Sequence, residues 1–108
     1  MSKTTNFFLV YITTKNEEEA LTLANLSVKK NLAACGNIFS KMKSVYKWNK
    51  ELQNDYETLL ILKTNSSKYL LLKKLIQEKH SYEVPCILKI PIIDGNKEYL
   101  KWIDDSLI

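Results

Sequence analysis

Two long strand-like stretches, 34–48 and 51–64, are separated only by Asn49 and Lys50, and this pairing constrains the fold more than any other feature of the chain. A two-residue break between such runs reads as a β-hairpin. Arms of about fifteen residues at ~3.3 Å per residue reach roughly 45–50 Å. A globule of this length has a radius of gyration of about 13 Å and a diameter of roughly 35 Å. The hairpin must therefore overhang the body of the domain or bend through a bulge. Ile38, Met42, Tyr46 and Trp48 share one parity, with Phe39 and Val45 on the other. On the return arm Leu52, Tyr56, Leu60 and Leu62 alternate with Glu51, Gln53, Asp55 and Glu57. Both faces are apolar near the base and mixed near the tip. An overhanging ribbon that carries Val45, Tyr46 and Trp48 is marginal in water and leaves strand edges unpaired, so it is expected to dock on another chain. Periodicity does not distinguish a dimer from a trimer; a closed ring of identical contacts is one solution that symmetry allows.

The remaining elements fall on either side of the hairpin. Residues 7–13 form a continuous aromatic and β-branched run, expected as an internal strand buried on both faces. Asn16 with Glu19 three residues on is a variant capping box, Glu17 to Glu19 suit the positive end of a helix dipole, and Asn31 is a C-terminal stop. A first helix is expected over 17–30. Asn65, Ser66 and Ser67 offer caps for a second helix over 67–79. A loop, 80–85, precedes a strand over 86–93, which Pro91 confines to a sheet edge because proline removes a ladder donor. Asp94-Gly95 is a turn, and Asn96 caps a short last helix carrying Tyr99, Leu100, Trp102 and Ile103. The order is β-α-β-β-α-β with a terminal helix: an α+β, ferredoxin-like sandwich in one domain, 1–108, with its first and third strands central.

Composition narrows the function classes. No apolar stretch approaches the roughly 20 residues that cross a bilayer as a helix, and the N-terminus lacks the h-region and cleavage site of a secretory leader. A cytoplasmic protein with no membrane partner is expected. Two cysteines, Cys35 and Cys86, fit neither a disulfide framework nor a zinc knuckle, and read as reduced thiols. The net charge is +4, but all sixteen basic residues are lysine. Bidentate reading of bases or phosphates favours the guanidinium fork, so a solvated lysine surface is expected and no nucleic-acid partner. One histidine, no Ser-His-Asp order and no glycine-rich phosphate loop leave no catalytic constellation.

Several short segments carry a more specific signal: 32–37 (LAACGN), 45–48 (VYKW), 62–64 (LKT), 80–85 (HSYEVP) and 99–102 (YLKW). In this order and spacing they resemble the CutA divalent-cation tolerance family over nearly the whole chain. The resemblance implies a ferredoxin-like homotrimer joined through the long hairpins, and a non-enzymatic role in tolerance of divalent metals, copper in particular. No cofactor is required; copper or another divalent metal is the ligand it suggests. In bacterial copper-tolerance members a first-strand cysteine and two adjacent histidines are the proposed ligands, where this chain has Ile12, Lys79 and His80. His80 and Glu83 are the remaining metal candidates, in a site completed by neighbouring chains, since one imidazole alone holds copper weakly.

Each candidate has a structural alternative. His80 is a ligand or a hydrogen-bonded packing residue. Glu57 and Lys63 share parity and, with Glu83, form either an inter-subunit polar pocket or structural ion pairs. Tyr46, Trp48, Tyr82 and Trp102 line an inter-subunit cleft for a small molecule or act as interface anchors. Cys35 and Asn37, at the hairpin base, are weaker cleft candidates; the thiol binds a soft metal only when deprotonated. A trimeric binding or signalling module is the leading reading. A small-molecule or enzymatic cleft and a structural scaffold are the alternatives.

Overall fold

The computed structural model describes residues 6–108; the expectation of no secretory leader concerns the first residues and lies outside the described ones. The chain runs β1 (Phe7–Thr14), α1 (Glu17–Lys29), β2 (Cys35–Trp48), β3 (Glu51–Asn65), α2 (Tyr69–Lys79), β4 (Ile87–Pro91) and α3 (Lys97–Ser106). The strands form one sheet in the order β2-β3-β1-β4, antiparallel throughout. This is the ferredoxin-like α+β arrangement expected from the sequence, with the first and third strands at its centre.

One face of the sheet is closed by α1 and α2. Val10, Ile12, Leu60 and Leu62 meet Ala20, Leu23 and Ala24 of α1 and Leu72 and Ile76 of α2. Gly36 permits this close approach: a Cβ there would lie 2.9 Å from Leu62 Cδ2 and 3.3 Å from Ala24 Cβ. Asn16 caps α1 as expected, its Oδ1 accepting from the Glu19 amide at 2.8 Å. Asn31, with φ 57°, ends the helix in the left-handed region, where asparagine is tolerated best after glycine.

The opposite face is largely open. Leu9, Tyr11, Asn37, Phe39, Leu59, Ile61, Leu88 and Ile90 share it by register. Only its end is covered, where Ile103 of α3 and Leu107 just after it pack with Ala34, Phe7 and Leu100. The first strand, expected to be buried on both faces, is therefore fully buried only on its helix side and half-buried on the other.

The hairpin both bends and overhangs. Its turn places Asn49 and Lys50 at φ 51° and 67°, the pair of positive angles that a type I′ turn requires. A bulge between Phe39 and Met42 opposes Ser40 and Lys41 to the single residue Thr58, with Lys41 at φ 62°. The extra residue reverses the alternation, so Met42, Tyr46 and Trp48 point away from the face that Ile38 occupies, although all four share parity. The last rung of β1 on β3 is Thr14 opposite Thr58. Beyond it the ribbon 42–57 has no third strand, and the longest dimension of the molecule reaches 44 Å.

Two expected boundaries move. The second helix begins at Tyr69 rather than 67, because β3 runs on to Asn65 and the Asn65 side chain accepts from the Ser67 hydroxyl and the Lys68 amide within a turn. The last strand is five residues long rather than eight, ending at Pro91 on the sheet edge.

Two substitutions test this geometry by thermal or denaturant unfolding. Lys50→Gly relieves a left-handed lysine and is expected to stabilise by about 1 kcal/mol. Gly36→Ala drives a methyl into Leu62 and is expected to destabilise by about 1–3 kcal/mol.

Candidate functional site

A groove of about 810 Å³ lies beneath the overhanging ribbon. The ribbon's side chains form one wall and the segment between α2 and β4 forms the other. That segment is held by His80, which is buried. Its Nε2 lies 2.8 Å from the Thr13 carbonyl, and its Nδ1 accepts from the Tyr82 amide at 3.0 Å. This pairing defines the neutral tautomer with the proton on Nε2, and both ring nitrogens are used. The Ser81 amide donates to Glu19 Oε2 at 2.9 Å, and the Lys15 amide to Glu19 Oε1 at 3.1 Å. Burial alone would raise the Glu19 pKa, but the hydrogen bonds from Ser81 and Lys15 hold it below the usual carboxylate value.

Tyr82 carries this scaffold into the groove. Its ring packs on His80 with centroids 4.8 Å apart, and its hydroxyl donates to Glu57 Oε2 at 2.8 Å. Burial, together with the Glu57 carboxylate, pushes the Tyr82 phenol far above its ordinary pKa. On the ribbon itself the Tyr46 hydroxyl donates to Asp55 Oδ2, and this hydrogen bond raises the Tyr46 pKa. Trp48, Glu83, Val84 and Cys86 also line the groove, with Gln53, Thr13 and Lys15.

A second cluster sits at the other end of the open face. Cys35 and Lys63 are directly opposite on β2 and β3. The Lys63 ammonium donates to the Tyr99 hydroxyl at 3.2 Å, and Cys35 Sγ lies 3.7 Å from the same oxygen. Tyr99 in turn packs on Trp102 at 5.4 Å. Burial acts to lower the Lys63 pKa, but the Tyr99 hydroxyl and the Cys35 thiol hold it above the ordinary value.

The expected site residues thus divide. Tyr46, Trp48, Glu57, Tyr82 and Glu83 share the groove, with His80 behind it. Cys35, Lys63 and Trp102 are linked through Tyr99, and Asn37 lies exposed on the same face. Glu57 and Lys63 share a face as expected, but six residues along one strand is roughly 20 Å, so one chain does not bring them together. Asp55 and Tyr99 are partners that the sequence pattern did not single out. Asp55 carried a signal in sharing parity with Glu57, and Tyr99 in lying three residues before Trp102 on a helix.

The match to known proteins extends over this whole arrangement. The family model described as CutA1 divalent ion tolerance protein matches residues 8–106. The chain belongs to that family. The divalent-cation tolerance protein CutA of Thermus thermophilus is 41% identical over 98 residues, 91% of this chain and 95% of that protein. The chloroplastic protein CutA of Arabidopsis thaliana is 41% identical over 97% of this chain, which spans 58% of that longer relative. Among solved structures, CutA1 of Ehrlichia chaffeensis superposes with a TM-score of 0.92 at 34% identity, covering 98% of this chain and 99% of that one. CutA of Archaeoglobus fulgidus, described as periplasmic, superposes at 0.90 with 39% identity, covering 94% and 99%. Members of the CutA1 family therefore carry descriptions that place them in different compartments.

The residues of one chain do not fit a copper site. His80 has neither ring nitrogen free. Ile12 is fully buried in the core and Lys79 is exposed at the end of α2. Among the described residues no cluster of three His, Cys, Asp or Glu side chains is placed to hold a metal.

The alkaline behaviour of Tyr82 is testable. A folded pKa raised above the unfolded value of about 10 gives stability that is present below pH ~10 and lost as pH rises through the folded value. Spectrophotometric titration should show one phenol ionising after the others, absent in Tyr82→Phe; identical profiles would contradict the Glu57 contact.

Proposed function

We propose that the protein is a non-enzymatic, homotrimeric binding module associated with tolerance of divalent metal ions. The observation that carries the assembly is the open sheet face. Phe39, Leu88 and Ile90 are 56, 54 and 41% exposed on it, and half-buried Leu9, Tyr11, Leu59 and Ile61 lie between them. An apolar surface of this kind, continuous with a ribbon that has no third strand, is what association between copies buries. The match to family structures supports the same assembly, and three copies related by one rotation close the contacts without leaving a free edge.

The link to divalent ions comes from the family. Copper or another divalent ion would need donors from more than one copy, with exposed Glu83 as this chain's contribution. No metal-dependent step is assigned to His80, whose hydrogen bonds build the groove wall. The cytosol is part of the proposal: Cys35 opens one edge strand and Cys86 precedes the other, and the three strand spacings between them alone amount to roughly 14 Å, beyond the ~7 Å reach of a disulfide. Among the described residues no helix is long and apolar enough to cross a membrane, and the proposal includes neither a membrane nor a nucleic-acid partner. A second reading, a small-molecule cleft between copies, is favoured by the division of the candidates into two half-sites that one chain keeps apart.

Light scattering of the parent protein should give three times the 12.6 kDa chain mass. Leu88→Asp, exposed within one chain, should keep the fold by circular dichroism and lose that mass; a folded parent monomer would overturn the proposal. Calorimetry with Cu(II) and Cu(I) should give the same affinity for parent and His80→Ala, while the variant unfolds at lower temperature. A loss of about tenfold in copper affinity, ~1.4 kcal/mol, would make His80 a ligand.

A further inference from the structure

We infer that the groove beneath the ribbon is a binding site for a small organic ammonium ion, a primary or quaternary amine on a short hydrocarbon stem. The inference rests on the reading of the protein as a binding module and names the ligand class of its groove. The volume of about 810 Å³ falls in the range of roughly 300–1,000 Å³ typical of small-molecule sites. Tyr46, Trp48 and Tyr82 line the groove. Aromatic faces attract cations through their quadrupole, and indole does so best. Asp55, Glu57 and Glu83 line the same space against the single ammonium of Lys15. On a chain with net charge +4 this is a local reversal of sign, and it selects for a cation over an anion.

The carboxylates are fixed as acceptors. Asp55 accepts a hydrogen bond from the Tyr46 hydroxyl on Oδ2, and Glu57 one from the Tyr82 hydroxyl on Oε2. Oδ1 of Asp55 and Oε1 of Glu57 receive no hydrogen bond among the described residues, and each has capacity to accept an ammonium N–H or to neutralise a quaternary centre. A bare divalent ion requires several oxygen or nitrogen donors converging at one point, and such convergence is not found among the described residues. A soft, weakly hydrated cation with methyl or methylene groups instead uses rings and carboxylates together, the first for its apolar surface and the second for its charge.

The test uses choline as the permanent cation and 3,3-dimethylbutan-1-ol as its neutral isostere, measured by calorimetry on the full chain at constant ionic strength, with mass read by light scattering on the same samples. Choline should bind at least about tenfold more tightly than the alcohol. Trp48→Leu, at a residue 67% exposed, should weaken choline roughly threefold to thirtyfold, the range that cation–π contacts span, and Glu57→Gln, which removes a carboxylate charge, should weaken it as well. Equal binding of the two compounds overturns the inference, as does choline binding that neither variant changes. No choline binding to an intact trimer also overturns it, and would mean that another occupant, such as a lysine of a neighbouring copy, fills the groove. Mass and binding are independent readouts: a monomeric parent contradicts the assembly, while the choline result alone decides the ligand class.

Discussion

The sheet stops at Thr58 while the hairpin continues. Up to that residue β3 is flanked by β1 and β2, and its inward side chains are sealed by two helices; beyond it two strands have only each other. A two-stranded ribbon turns about half of its backbone groups outward, where only water meets them, and has no layer to bury its rings against. The candidate groove follows from that mismatch. The overhang roofs the groove, and its unpaired edges together with the open sheet face create the demand for further copies. The groove's second wall exists because His80 and Tyr82 tie the segment after α2 to both β1 and the ribbon.

The bulge at Phe39–Met42 decides what the ribbon can do. In an unbroken strand Met42, Tyr46 and Trp48 would follow Ile38 toward the helix layer. One extra residue with Lys41 in the left-handed region turns them over, and they join Asp55 and Glu57 on the groove side. The other side of the ribbon then carries Val45, Leu52 and Tyr56, with Lys43 over the Tyr56 ring at 5.4 Å. A ribbon that is acidic and aromatic on one side and basic and apolar on the other suits a ring in which each copy contacts its neighbour through unlike faces.

Much of the fold is legible in the sequence because its local signals agree. Asn16 caps α1, the turn at Asn49-Lys50 sets the hairpin, and Pro91 marks the edge, each through backbone chemistry confined to a few residues. The bulge position is not legible, since no residue type in 39–42 demands it and parity alone argues against it. The start of α2 differs from its expected place because Asn65 serves both as the last residue of a strand and as the acceptor for a turn. For the site, the groove members lie in recognisable motif segments, whereas their division into two clusters depends on distance along β3. The partners Asp55 and Tyr99 emerge only when strands and helix are set side by side.

Amide hydrogen exchange across residues 43–56 tests the central claim, that other copies complete the ribbon, most directly. In the assembled protein these amides should exchange nearly as slowly as those of β1, and in Leu88→Asp they should become fast while β1 stays protected. Ribbon amides that exchange freely in the parent protein, alongside a protected β1, would contradict the account.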